Sequence, residues 1–194
     1  MSQRLTECVA SRICHDLISP VGAISNGVEL LQLTQGGVEE TDLVAESAKI
    51  SSARLRFFRL AFGQAGPDQP VQNKEIECIF NDLNSERASV DWQVSGVLQR
   101  DEVQSVLLGV MCLEQALPQG GKITVRRHGS RWQLTVKDVV LRIDDGLWTA
   151  IARLEVLQDF TPATVSFSLL IQNLKEQSKD LEIQIKATQI SICF

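Results

Sequence analysis

His15 is the residue of this chain best suited to carry chemistry. The 194 residues contain two histidines, His15 and His128, and Asp16 directly follows the first. A neutral imidazole is a good nucleophile near pH 7, because its unperturbed pKa is about 6.5. A carboxylate on the next residue can orient one ring nitrogen and leave the other free to react. Two histidines are too few for a multi-histidine zinc site.

The apolar pattern predicts that His15 lies on a long helix from Arg4 to Leu33. Apolar residues recur there at alternating spacings of four and three: Leu17, Val21, Ile24, Val28 and Leu31. At about 100° per residue, His15 lies roughly 150° from the centre of this stripe, so we expect its ring to face solvent. Its own face carries small or polar residues, with Ile18 at the edge: Ser11, Ser19, Gly22 and Asn26. Pro20 should bend the helix just past the histidine.

A second apolar stripe, between Val44 and Phe62, predicts another long helix after the turn at Gly36-Gly37. Two helices joined by a short turn form an antiparallel hairpin. Each helix has a wide apolar face, and two helices alone cannot cover both faces. We therefore expect a homodimer in which two hairpins form a four-helix bundle.

A Gly/Pro-rich segment at 63–73 separates this hairpin, residues 1–66, from a second domain at 72–194. Mixed periodicity in the second domain predicts an α/β layer with a mostly antiparallel sheet. We expect helices at 74–86, 101–117, 144–157 and 162–177, with Asp101 as a plausible N-cap and Asp144-Asp145 capping another helix. We expect strands around 90–94, 123–125, 132–136, 181–185 and 190–194.

The composition excludes several classes of protein. A net charge of −5 argues against binding to nucleic acid or to anionic membranes, both of which need basic patches. No apolar run reaches the ~18 residues that span a bilayer, and the N-terminus lacks a signal-peptide pattern. The five cysteines have no CxxC spacing, which favours a reducing cytoplasm over a disulfide or zinc framework. Cys8 and Cys14 do not have a ligand spacing either, so we expect no metal at His15.

The residues around His15 also carry a family resemblance. His15-Asp16-Leu17-x-x-Pro20 resembles the H-box of dimeric histidine kinases, where the histidine is phosphorylated. The longer string from Ser11 to Leu31, SRICHDLISPVGAISNGVELL, resembles the ChpT-like histidine phosphotransferases of alphaproteobacteria. The resemblance extends through the chain and includes ALPQGGKI at 116–123.

The resemblance implies an α+β protein: a helical hairpin forming a dimeric four-helix bundle, then a degenerate ATPase-like α/β sandwich of the histidine-kinase type. A working ATP domain needs an Asn for Mg²⁺ and glycine-rich loops for the nucleotide. Here Cys112 or Leu108 stands where that Asn would fall, and no Gly-x-Gly occurs. Without flexible glycines the backbone cannot wrap phosphates, so we expect no ATP binding and no cofactor.

The resemblance further implies that His15 relays a phosphoryl group between receiver-domain aspartates of a hybrid histidine kinase and of response regulators. Asp16 or a nearby carbonyl would hold the proton on Nδ1, and the partner receiver would supply Mg²⁺. Arg12 could neutralise the phosphoryl group or be an ordinary surface residue. The candidates for receiver docking are Ile18, Ser19, Gly22 and Asn26.

Two other functions fit the same residues. The chain could be a dimeric scaffold or inhibitor that binds kinases or receivers without being phosphorylated. It could also be a divergent ATP-dependent kinase, which the missing glycines argue against.

Overall fold

The computed structural model describes residues 3–34, 37–64 and 69–194. Its N-terminal part is a hairpin of two long helices, α1 (Gln3–Thr34) and α2 (Val38–Phe62). Both helices were predicted, and α1 continues unbroken through Pro20. The two helices approach closely at Gly27, where an added Cβ would lie 2.5 Å from Cγ2 of Val44.

The two ends of the hairpin differ in burial. Most of the buried residues of α2 lie in its C-terminal half, where the helix packs on the second domain: Ser51, Ala53, Phe57, Phe58, Leu60 and Ala61. Leu55, on the opposite side of that half, is exposed, and so are large apolar residues elsewhere on the hairpin: Ile18, Val21, Val28, Leu30, Leu33, Val38 and Leu43. The second domain therefore covers one end of the hairpin and leaves the rest of its apolar surface open.

The second domain contains four helices and seven strands in its described residues. The helices are α3 (Asn73–Leu83), α4 (Arg100–Gln115), α5 (Asp145–Ala152) and α6 (Val165–Glu176). The strands are β1 (Pro70–Val71), β2 (Ala88–Gln93), β3 (Leu98–Gln99), β4 (Gly121–His128), β5 (Arg131–Lys137), β6 (Glu182–Lys186) and β7 (Gln189–Cys193).

Five strands form the main sheet in the order β2-β4-β5-β7-β6. Strands β2 and β4 are parallel and every other neighbouring pair is antiparallel, which confirms a mostly antiparallel sheet. The later strand β7 lies between β5 and β6, so that Val136 pairs with Ile190 and Ile183 pairs with Ile192. A separate two-stranded sheet joins β1 to β3.

The core of this domain is centred on α4, of whose 16 residues ten are buried. The helix packs directly on β5 at Gly109, where a Cβ would lie 3.0 Å from Cδ2 of Leu134. Two of the three tryptophans are buried in the core, Trp132 and Trp148, and Trp92 is half-buried against Trp132. His128, at the end of β4, is exposed.

Several details differ from the sequence-based expectation. Asp101 is not an N-cap: α4 begins one residue earlier, with Gln99 as its cap residue, and Asp101 lies in the first turn. Asp144 does cap α5, because its Oδ1 accepts a hydrogen bond from Leu147 N at 3.1 Å. Strands β1 and β3 were not predicted, since two-residue strands show no periodicity.

The predicted boundary between residues 66 and 72 falls on a segment of which 65–68 lie outside the described residues. All five cysteines are described and unpaired. Within the described ranges, no helix is both long and apolar enough to cross a membrane.

Candidate functional site

His15 lies in the first half of α1 and projects into solvent. Its side chain is 84% exposed. The neighbouring residues on its face, Ser11 and Ser19, are also exposed and short. A bulky reactant on another protein can therefore reach the imidazole without moving other side chains of this chain.

Asp16 is the group that holds the His15 ring. Its Oδ1 lies 3.1 Å from His15 Nδ1. An ionised carboxylate can only accept, so this contact requires that Nδ1 carry the proton. The opposite nitrogen, Nε2, then keeps its lone pair for reaction. Whereas the imidazole is exposed, the Asp16 side chain is only 11% exposed, so the exposed ring is oriented by a largely buried carboxylate.

Arg12 anchors the same carboxylate from the preceding turn of the helix. Its Nε donates to Asp16 Oδ2 at 2.8 Å, and its side chain is 16% exposed. Charge-assisted hydrogen bonds of this kind are stronger than neutral ones. Contact of Arg12 with a phosphoryl group stays a prediction. Arg12 therefore holds Asp16, and Asp16 in turn holds the His15 ring.

A cleft of about 390 Å³ lies between the hairpin and the second domain, and Arg12 and Asp16 form part of its lining. Its walls come from helices α1, α2, α3 and α4, from strand β2 and the segment before it, and from the start of β4. Its apolar lining includes Phe57, Phe58 and Phe80. Its charged lining consists of Arg12, Asp16, Arg54, Arg87 and Glu114.

Glu114, from α4, brings a second carboxylate of the cleft into the neighbourhood of Asp16. Burial among the surrounding protein raises the pKa of Glu114, while the positive charges of Arg12 and Arg54 lower it and Asp16 raises it, with a net rise. The residue still reaches solvent inside the cleft. Arg54, on the α2 side, has a buried Nε that donates to no acceptor among the described residues.

The residues predicted for receiver docking lie on the exposed side of α1. Ile18 is 70% exposed, so its apolar side chain is accessible to a partner. Ser19 and Asn26 are exposed as well. Gly22 leaves open space, because a Cβ there would meet nothing within 4 Å. The structure therefore places all four on accessible surface of the helix that carries His15.

The two positions at which a working ATP domain would carry its Mg²⁺-binding Asn lie in the packed core of this protein. Cys112 and Leu108 are buried in the core, and burial raises the pKa of the Cys112 thiol. A neutral thiol is a poor ligand for Mg²⁺, which prefers oxygen. Among the described residues there is no group of three or more His, Cys, Asp or Glu side chains that could hold a metal ion.

Sequence reasoning did not find Arg54 and Glu114. Their proximity to Asp16 depends on how α2 and α4 pack, and that packing leaves no local spacing signal. The Arg12–Asp16 pair did have a signal, since residues four apart on a helix are neighbours.

The comparisons with known proteins agree on one family. Residues 73–189 match the family model described as the histidine phosphotransferase C-terminal domain. The protein phosphotransferase ChpT of Brucella abortus (strain 2308) is 40% identical over 148 residues, which cover 70% of this chain and 68% of that protein.

Solved structures are similar as well. A bacterial phosphotransferase superposes with a TM-score of 0.79 at 29% identity, over 100% of this chain and 97% of that chain. The histidine kinase domain of the blue-light activated kinase EL346 from Erythrobacter litoralis gives a TM-score of 0.46 at 12% identity, over 99% and 93% of the two chains.

Proposed function

This chain belongs to the histidine phosphotransferase family, and from that premise we propose that it relays a phosphoryl group between receiver-domain aspartates through His15. It is a phosphotransferase of two-component signalling. One observation supports His15 as the carrier: an exposed imidazole has its Nδ1 on a largely buried carboxylate, which leaves Nε2 as the nucleophile.

Each half of the relay is an in-line displacement at phosphorus. Nε2 of His15 attacks the phosphorus of the aspartyl phosphate on the donor receiver. The N–P bond forms as the bond from phosphorus to the aspartyl oxygen breaks, and the donor carboxylate leaves. The positive charge that develops on the ring is stabilised by Asp16, which holds the Nδ1 proton. The second half runs in reverse with the carboxylate of the acceptor receiver as nucleophile.

The receiver supplies the metal in this proposal. Phosphoryl transfer needs positive charge on the equatorial oxygens, and Mg²⁺ bound by the acidic pocket of the receiver provides it. The surface around His15 would then dock the receiver through Ile18, Ser19, Gly22 and Asn26. An exposed apolar side chain and an open glycine suit close approach of a folded partner.

The second domain acts without nucleotide in this proposal. The burial of Cys112 and Leu108, together with the lack of any Gly-x-Gly, supports this view. We also propose a cytoplasmic location, because two-component receivers are found there.

We further propose that the protein is a homodimer through its hairpin. The apolar residues that remain exposed on α1 and α2 support this arrangement, in particular Val21 and Val28 on one stripe of α1. Pairing with the hairpin of a second copy would complete a four-helix bundle and cover that surface.

The test is transfer of label from a radiolabelled phospho-receiver. We expect label on the protein that is acid-labile and base-stable, as a phosphohistidine is. His15→Ala should abolish it, and His128→Ala, the matched control, should keep it. Label that survives His15→Ala would overturn the assignment. Binding of the receiver without any transfer would support the scaffold function instead.

A further inference from the structure

The cleft beneath His15 holds two charged groups, Arg54 and Glu114, that the relay chemistry does not use. Arg12 is paired with Asp16, whereas Arg54 and Glu114 line the same cleft without an ion pair to any described residue. Across the described residues, the Glu114 carboxylate has no ion-pair partner within 4.0 Å. These four side chains sum to zero charge when all are ionised, and Arg87 brings the charged lining of the cleft to +1. Arg87 also lines the cleft and donates through Nη2 to the carbonyl oxygen of Pro118 at 2.8 Å.

The charges near Asp16 matter because its carboxylate serves two donors. One oxygen accepts from Arg12 and the other faces His15 Nδ1. A further arginine without a carboxylate of its own would compete for Asp16 and draw it away from the imidazole. Arg54 is such a residue, since its buried Nε has no acceptor among the described residues. Glu114 supplies the second negative charge that offsets Arg54.

The electrostatics of Glu114 are consistent with this function. Although burial raises the pKa of Glu114, Arg12 and Arg54 both favour its ionised form, and solvent in the cleft hydrates that form. Glu114, Arg12 and Arg54 line one cleft, so their charges influence one another across it without direct contact.

We propose that Glu114, contributed by the second domain, is a positioning residue that keeps Asp16 available to His15 by offsetting the charge of Arg54. This inference rests on the proposed function of His15. It assigns a role in the relay to a domain that carries none of the reacting atoms. Because α4 holds Glu114 and the hairpin holds His15, the reactivity of the histidine depends on how the two domains are docked.

The proposal is tested by the tautomer of the His15 ring, which a purely structural role would not change. In protein with ¹⁵N-labelled histidine at pH 8.5, the nitrogen chemical shifts report the fraction of each neutral tautomer. We expect Glu114→Gln to lower the ratio of the Nδ1–H to the Nε2–H form of His15 by about threefold, the scale of one partly screened charge. Arg54→Gln should raise that ratio, and the double variant should return it towards the wild-type value.

Two controls accompany the measurement. His128 serves as an internal reference whose tautomer ratio should stay constant, and His128→Gln assigns the two signals. Glu176→Gln removes an exposed carboxylate of the same domain and should leave His15 unchanged. Single-turnover transfer from a phospho-receiver should slow about threefold to tenfold in Glu114→Gln, in parallel with the ratio.

The outcomes separate the two proposals. An unchanged ratio in Glu114→Gln, or a double variant that fails to recover, would overturn the positioning role. If Glu114→Gln does not fold, a ratio in Arg54→Gln that does not rise would overturn it equally. A shifted ratio together with label that survives His15→Ala would refute the relay through His15 and leave the charge coupling intact.

Discussion

The hairpin and the second domain solve the problem of apolar burial in different ways. The second domain contains most of the core, with ten buried residues on α4 and with Trp132 fully buried, and the C-terminal half of α2 packs into that same core. The hairpin carries His15 and leaves Ile18, Val21 and Val28 exposed. We therefore expect the second domain to supply most of the stability, and the hairpin to supply the surface for partners.

The largest expected effect contrasts the same substitution in the two regions. Leu170→Ala removes a fully buried side chain of α6 and should lower the free energy of unfolding by about 2–5 kcal/mol. Leu33→Ala removes a side chain of α1 that is 75% exposed, and should change it by less than about 0.5 kcal/mol. Denaturant titration measures both. Equal losses of unfolding free energy would show that Leu33 is as well packed as Leu170.

The next effect concerns what covers the hairpin. Val21→Glu combined with Val28→Glu would bury four carboxylates in a symmetric dimer, so the dimer dissociation constant should rise by at least about 100-fold. Sedimentation equilibrium measures the constant. Ile185→Glu, at an exposed position of the second domain, is the control and should leave it unchanged. A double variant that dimerises like the wild type would exclude this face as the interface.

Two glycines of α1 allow the packed and the open sides of the hairpin to be compared. Gly27→Ala places a methyl group against the stiff Val44 side chain and should cost about 1 kcal/mol net of the gain in helix propensity. Gly22→Ala meets nothing within 4 Å and should stabilise the protein by about 0.5–1 kcal/mol. Thermal unfolding of the two variants should therefore shift in opposite directions. A gain in both would mean that the helices can separate freely at Gly27.

The smallest effect is a pH dependence at the junction of the two regions. Because the pKa of Glu114 is raised in the folded protein, its contribution to stability is full below the unfolded pKa and is lost as pH rises through the folded pKa. Glu114→Gln removes that loss, so the variant should be more stable than the wild type at pH 8. The gain should be small, about 1 °C in Tm, because the group still reaches solvent. The advantage should vanish near pH 4. An advantage that grows towards low pH would contradict the direction of this shift.

Much of the fold could be predicted from the sequence because long helices repeat their pattern many times. The stripe from Leu17 to Leu31 fixed both the helix and the exposed direction of His15. The two-residue strands β1 and β3 could not be found, since they contain too few residues to alternate. The cap of α4 was misplaced because Asp101 is a favoured cap residue that here is the second residue of the helix.

The residues of the candidate site also differ in whether local sequence spacing predicts them. The candidate residues of α1 follow from helical geometry, so their exposure was predictable from spacing alone. Glu114 was not, because it approaches Asp16 from about 100 residues further along the chain, and only the docking of α4 against the hairpin brings the two together. Electrostatic contacts between domains leave no pattern in a single sequence.

The placement of β7 between β5 and β6 has a consequence for biosynthesis. The sheet cannot be completed until the ribosome has translated residues 189–193, whereas the hairpin is complete once Phe62 has emerged. At about 5–20 residues per second, roughly 10 s separate the two events. Nascent hairpins with exposed apolar faces are therefore available to one another on neighbouring ribosomes before either chain has a folded second domain.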